Sequence, residues 1–307
     1  MTNRQAIIQH LLFVAIFLCS IITFSCSNAQ QKTAETIDSD HIIDSLIVVK
    51  KVNDKAILLL FGSDAVTAVN TNEGIVVIDA GISTSLTSKF RRIIENEFQS
   101  NDFAYVINSH SHPDHNGGNS VFHEAKIIGQ EDGLEEISQQ RANPGNTKKR
   151  IAGIVEDYEL KLQEREINTE AWYDAFTQKM RYYFALKDAE MKIPIKQPEL
   201  TFSDSLQIDM GDVKFQMHHF GKCHSNSDIM IYIPEMKILF TGDLFSSFGR
   251  PAIRDTSVKD VEKWKTAIQW NEKRIPGIET IISGHGAFLS IEDLEYFNTR
   301  MMEIGLN

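Results

Sequence analysis

"VINSHSHPDHNGGN", residues 106–119, places three histidines and one aspartate within six positions, His110 to His115, between an apolar run and two glycines. The whole 307-residue chain has only ten histidines, so this stretch holds a disproportionate share of them. If "FAYVINS" (103–109) is a buried strand, His110 and His112 stand two residues apart at its end and project the same way. Pro113 is expected to stop regular structure, and Asp114 and His115 to turn toward a neighbouring point. Gly117 and Gly118 would then let the backbone turn tightly into a helix. Imidazole and carboxylate suit zinc and other borderline divalent metals. A single tetrahedral ion would use these four side chains only under strain, so two adjacent ions fit the cluster better.

Outward from this stretch, short apolar runs alternate with turn residues. "SLIVVKKV" and "AILLLFG" have strand character, and "AVTAVNTNEGIVVIDAG" reads as a hairpin turning at "NTNEG". "STSLTSKFRRIIENEF" has helical spacing, with Leu86, Phe90, Ile93 and Ile94 on one face. "AKIIGQ" follows as another strand. Near-continuous apolar strands alternating with helices indicate an α/β layer architecture. From about 131 to 195 the pattern changes to charged residues mixed with Trp172, Tyr173, Phe176, Tyr182, Tyr183 and Phe184. This segment is expected to be a helical insert whose aromatics pack the helices together or roof a substrate pocket. After it, "SLQIDMGDVKFQMHHFG" reads as a hairpin turning near Gly211 and "DIMIYIPEMKILFTGD" as one turning at Pro234 and Glu235. A helix with Val261, Trp264, Ala267 and Ile268 on one face, the strand "IETIISGHG" and a helix opened by "SIED" complete the chain. Strands and helices thus recur in two similar halves joined by the insert.

The N-terminus reads as an address. Arg4 precedes the apolar stretch "AIIQHLLFVAIFLCSIITFS", as in a secretory signal, and a span of this length could also remain as a membrane anchor. "TFSCSN" resembles the lipobox of bacterial lipoproteins, with Ser25 before Cys26, the residue that would receive lipid; Thr23 and Phe24 depart from that pattern. Residues 1–26 are therefore expected to be a lipoprotein-type signal and residues 27–41 a polar tether, with the folded domain at 42–307. The expected location is outside the cytoplasm, on a membrane through a lipid anchor; a retained anchor or a soluble periplasmic or secreted form are the alternatives. Only Cys223 lies in the body of the domain, so an internal disulfide is excluded there. The net charge of −11 speaks against long-range attraction to nucleic acid, though not against a local basic groove; a small-molecule substrate is the expected partner and nucleic acid is not.

Further donors stand in the second half. His224 in "GKCHSNSD", Asp243 in "KILFTGD" and His285 in "TIISGHG" each follow an apolar strand in a glycine-containing loop, where α/β sheets build their sites. His218 and His219 rival His224, but they fall within the strand pattern. Asp243 can offer one oxygen to each of two ions.

The order "VIDAG", "HSHPDH", "GKCHS", "TGD", "SGHG" resembles the metallo-β-lactamase superfamily, a four-layer αββα sandwich of two similar halves. The resemblance covers residues 42 to 307 apart from the insert. It implies that His110, His112 and His224 hold one divalent metal ion and that Asp114, His115 and His285 hold a second, with Asp243 bridging. It implies that Asp79 orients the metal loops by hydrogen bonding. Zinc is the first expectation for both ions, with iron or manganese as alternatives.

The expected activity is hydrolysis by a metal-bound hydroxide of an ester, lactone, lactam or related bond, with Asp114 orienting the hydroxide and relaying its proton. No "GxSxG" offers a serine nucleophile. A class B β-lactamase is the first alternative, but Asp243 stands where the largest β-lactamase subclass has cysteine. That subclass also has a lysine soon afterwards, where this chain has "LFSSFGR" with Arg250 as the nearest cation. Aspartate at 243 looks more like the glyoxalase II or lactonase branches. An iron-dependent redox enzyme is the second alternative. Flavodiiron proteins, however, carry glutamate where this chain has His112, and persulfide dioxygenases use a single iron.

Overall fold

The computed structural model describes residues 42–142, 144–222, 224–244 and 261–304. The expected signal with its acceptor Cys26, the tether, Cys223 and Arg250 lie outside the described residues. Among those described, no helix is long and apolar enough to cross a membrane.

Seven strands form the first sheet in chain order. β1 (Val48–Lys51), β2 (Ala56–Phe61), β3 (Asp64–Thr71) and β4 (Gly74–Ile78) are antiparallel neighbours. β5 (Phe103–Ile107), β6 (Lys126–Gln130) and β7 (Leu200–Phe202) then join in parallel. The change of direction needs a crossover, supplied by helix α1 (Thr84–Phe98). Ser83 caps α1 by accepting from the Leu86 N–H, and Leu86, Phe90 and Ile94 form its buried stripe.

The second sheet runs in the order β13, β12, β11, β10, β9, β8. Its strands are β8 (Ser205–Asp209), β9 (Lys214–His219), β10 (Ile229–Ile233), β11 (Ile238–Phe240), β12 (Thr280–Ile282) and β13 (Phe288–Leu289). Leu58, Val69, Val76, Ile107 and Ile128 from the first sheet meet Phe215, Met217, Ile231, Phe240 and Ile282 from the second in one core. The intervening residues of β10 and β11, Met230, Tyr232 and Leu239, point outward. They pack against Ala267 and Ile268 of helix α6 (Val261–Arg274) and Leu294 and Phe297 of helix α7 (Ile291–Ile304). Burial on both faces explains why β10 is apolar throughout. Ser290 and Asp293 exchange side-chain-to-backbone hydrogen bonds at the start of α7, the reciprocal cap expected from "SIED". The result is the four-layer αββα sandwich.

Three helices lie between β6 and β7: α3 (Asp132–Ala142), α4 (Pro144–Gln163) and α5 (Glu170–Met191), with the short helix α2 (Pro113–Asn116) earlier in the chain. Tyr158 of α4 stacks on Tyr182 of α5, and Trp172 stacks on Phe176 along α5. The Tyr158–Tyr182 pair thus packs α4 on α5, whereas Trp172 and Phe176 meet within one helix.

The opening stretch differs in two details from its sequence reading. Pro113 starts a helical turn, α2, instead of stopping regular structure, because its fixed φ suits the first helical position and its missing N–H is not needed there. Gly117 and Gly118 lead into a 3₁₀ turn, Asn119–Val121, not an α-helix. Their role is close approach: a Cβ on Gly118 would lie 2.2 Å from the Ala80 carbonyl oxygen and 2.0 Å from Thr87 Oγ1.

Candidate metal centre

Segments that follow strand ends carry the residues of the candidate site. β4 ends at Ile78 and is followed by Asp79; β5 leads through Asn108 and Ser109 into His110. β11 leads into Asp243 and β12 into His285. Since β4 and β5 are parallel neighbours, as are β11 and β12, their following loops open at the same end of each sheet.

Asp79 holds the first loop. It sits in the left-handed region (φ 58°) and is buried. Its Oδ1 accepts from the Ser109 N–H at 2.7 Å, and its Oδ2 accepts from Ser109 Oγ at 2.8 Å and from His115 Nδ1 at 2.9 Å. With Nδ1 of His115 engaged by Asp79, Nε2 is the ring atom left facing the site. His285 is oriented in the same way, its Nδ1 lying 2.7 Å from the Ser63 carbonyl oxygen in the β2–β3 turn.

His224 is set by a carboxylate that the sequence reading passed over, although it stands in the quoted "GKCHSNSD". Asp228 accepts from the backbone N–H groups of His224 and Ser225 and from Ser225 Oγ, each at 2.8 Å. Burial nevertheless pushes the Asp228 carboxyl up to about 7, against the pull of those hydrogen bonds. Glu136, from α3, ties this loop to the first one. It accepts from the Asn226 N–H at 3.0 Å and from Ser227 Oγ at 3.2 Å, and also from Ser111 Oγ between the two strand-end histidines.

All seven expected donors converge. His110, His112 and His224 form one group whose ligand atoms all lie within 4.8 Å of one another; His110, His115 and Asp243 form a second, and Asp114, His115 and His285 a third. Asp243 lies among them. Its Oδ2 is 3.2 Å from His224 Nε2, 3.1 Å from His285 Nε2 and 4.0 Å from His110 Nε2, and its Oδ1 is 3.6 Å from His115 Nε2.

Electrostatics favour a cation here. Burial pushes the Asp243 carboxyl up, but the facing imidazoles, His115 foremost, overcome it and hold the group far below the usual carboxylate range. Asp114 follows the same pattern, with His115 and Arg181 outweighing burial. Burial lowers His115, yet Asp79, Asp243 and Asp114 together raise it well above the ordinary imidazole value. His110, farther from the carboxylates and beside other imidazoles, is held neutral by burial and by His115.

Three buried atoms test whether a metal fits. His110 Nε2, His115 Nε2 and Asp243 Oδ1 have no hydrogen-bond partner, although an unsatisfied buried polar atom costs about 1–3 kcal/mol. These are nitrogen and carboxylate-oxygen donors facing one small region, so divalent cations satisfy them where hydrogen bonds do not. The residues present fit the metal.

Neither rival histidine belongs to these groups. His219 Nδ1 lies 2.7 Å from the Asp228 carbonyl oxygen. His218 stacks with Phe220 at a ring separation of 6.0 Å and meets Trp270 in a tilted contact at 4.8 Å. Its pKa is lowered to about 4, first by burial and then by Arg274. A folded-state value below the unfolded one of about 6.5 means that stability is complete above pH 6.5 and lost as pH falls toward 4. His218→Phe is therefore expected to flatten the fall in melting temperature between pH 6.5 and 4. An unchanged acid slope would remove His218 as its source. His123 lies in the exposed loop before β6.

Arg181 reaches the site without a sequence signal, and other polar residues of α5 tie that helix to the surrounding loops. Arg181 of α5 donates from Nη2 to Asp114 Oδ2 at 2.9 Å and from Nε to Asp64 Oδ1. Gln178 of α5 bonds Ser63, and Asp188 accepts from Thr84 N at 2.6 Å and Thr84 Oγ1 at 2.9 Å.

The sandwich and its loop-borne cluster of histidines and aspartates define a class of metal-binding α/β proteins. A family model for the metallo-beta-lactamase superfamily matches residues 61–285, and the chain belongs to that superfamily. The type 2 metallo-beta-lactamase of Bacteroides fragilis is 26% identical over 107 residues, 35% of this chain and 42% of its own length. That of Bacillus sp. (strain 170) is 23% identical over 217 residues, 71% of this chain and 64% of its own. The chain thus spans less than two thirds of either relative. Among solved structures, a stereoselective inverting sec-alkylsulfatase from Pseudomonas sp. superposes with a TM-score of 0.60 at 15% identity, covering 85% of this chain and 41% of that one. A metallo-beta-lactamase from Pontibacter korlensis gives 0.53 at 18% identity, covering 83% and 99%.

Proposed function

We propose that this protein is a dinuclear, zinc-dependent hydrolase acting on an ester, lactone, lactam or related carboxyl derivative. The observation that carries this is the convergence of seven donors into overlapping groups around one carboxylate, Asp243. His110, His112 and His224 would hold one ion, Asp114, His115 and His285 the other, with Asp243 between them. When bound, zinc supplies an ionised water near neutral pH and polarises the bond under attack.

The chain's own residues do the rest. The Asp114 side chain, 26% exposed, is the most accessible carboxylate of the set; it orients the attacking water and carries its proton to the leaving group. Asp79 keeps His115 in one tautomer, and Asp228 holds the His224 loop in place. The likeness to type 2 metallo-beta-lactamases keeps lactam hydrolysis as the second reading, while Asp243 favours esters and lactones. An exported form anchored through lipid on Cys26 belongs to the same proposal.

Purified protein is expected to contain about two zinc ions per chain. Prolonged chelation should abolish hydrolysis, and added zinc should restore it. A panel of nitrocefin, a lactone, a thioester and a phosphodiester is expected to show its highest kcat/KM on the lactone or ester. Full activity in protein shown by elemental analysis to hold no metal would overturn the proposal.

A further inference from the structure

A buried cation lies against the metal centre. The Arg181 side chain is 3% exposed in the middle of α5, and a guanidinium so enclosed is stable only when paired and hydrogen-bonded. Its partners are two carboxylates from distant parts of the chain. Nε donates to Asp64 at the start of β3, and Nη2 donates to Asp114 in α2 at 2.9 Å. Asp64 is itself fully buried and fixed, its Oδ2 accepting from the Ile82 N–H at 3.0 Å.

The charges decide what this arrangement can do. Arg181 with Asp114 alone would be a neutral pair, and Asp114 would have little charge left for an ion. Asp64 changes the balance: two carboxylates share one guanidinium, and a net negative charge remains. The planar fork of arginine spans both carboxylates, whereas one lysine nitrogen on a flexible stem does not hold such a geometry. Asp114 Oδ2, held in this way, lies 3.9 Å from His115 Nε2.

We infer that Arg181, neutralised by Asp64, is a positioning residue that fixes the Asp114 carboxylate toward His115 and His285 and so sets the affinity of that group for its ion. The helices between β6 and β7 thereby become part of the metal centre's support. This rests on the proposed binding of two ions.

The test is a cobalt titration of chelator-stripped full-length protein, followed by absorption spectra and elemental counts. It compares the wild type, Arg181→Lys, Arg181→Met and the double variant Asp64→Asn/Arg181→Met. The double variant leaves no unpaired buried charge, so it keeps the experiment informative should Arg181→Met fold poorly. The wild type is expected to take up two ions. The folded variants are expected to bind the first as the wild type does and the second about tenfold to a hundredfold more weakly. Arg181→Lys should resemble the double variant and not the wild type. A purely structural role would lower the melting temperature and leave the two affinities in their original ratio. That result, or wild-type binding of both ions by the double variant, overturns the inference while the two-ion centre stands. If the wild type itself binds one ion, the proposed centre and this inference fail together.

Discussion

Asp114→Asn lowers kcat by about 10²–10⁴-fold, the range for removal of a general acid–base group, while the protein stays folded. The retained fold follows from the contacts. Asn keeps a carbonyl oxygen able to accept from Arg181 Nη2, now at 2.9 Å from Asp114 Oδ2, and Arg181 keeps its charge partner in Asp64. Stability should fall by no more than about 1.5–3 kcal/mol, the worth of one hydrogen bond to a charged group. Asparagine is also a poorer metal donor, so rates must be read with zinc in excess and zinc content measured alongside. Loss of activity at two ions per chain assigns Asp114 to proton transfer. Loss that disappears at high zinc assigns it to metal holding alone. Wild-type turnover at any zinc concentration removes it from the chemistry.

The strand-end loops and the helical insert were not equally legible in the sequence. Residues at strand ends announce themselves, because an apolar run followed by glycine and a histidine or aspartate has little other use. That pattern located His110, His112, Asp114, His115, His224, Asp243 and His285, all of which the structure brings together. The strands and hairpins were legible for the same reason: β10 and β11 lie buried on both faces and read as continuous apolar runs.

Helix α5 was opaque. Amphipathic analysis looks for an apolar stripe, whereas the stripe that α5 turns toward the β2–β3 turn and α1 includes Gln178, Arg181 and Asp188, with Ala175 and Ala185 buried beside them. Such a face reads as solvated, and its partners, Ser63, Asp64 and Thr84, lie roughly a hundred residues away. Asp228 is silent in the sequence, because a carboxylate that accepts backbone N–H groups has no signature beyond its spacing. Pro113 misled in a different way: a helix breaker by rule is a helix starter at the first position.

Gly284→Ala should disable the centre with one methyl group. Gly284 has no positive φ, so its backbone tolerates alanine, and any effect must come from space. A Cβ there would lie 2.3 Å from Asp243 Oδ1 and 2.9 Å from the Gly242 carbonyl carbon, well inside van der Waals contact. Relief by shifting the chain is resisted by the hydrogen bond from Gly284 N to the Gly242 carbonyl oxygen at 2.8 Å. The carboxylate must therefore swing away, and with it a side chain that faces His110, His115, His224 and His285 together. Overpacking of this kind costs about 1–3 kcal/mol in stability. A displacement near 1 Å at a reacting centre costs about 10²-fold in rate. Gly153→Ala supplies the control, since that position lies in α4 with nothing within 4 Å of an added Cβ. There alanine should stabilise by about 0.5–1 kcal/mol through helix propensity and leave kcat unchanged. Thermal melts, zinc counts and turnover of the two variants side by side measure the difference. Equal behaviour of the two would show that Asp243 is not held by the glycine beside it.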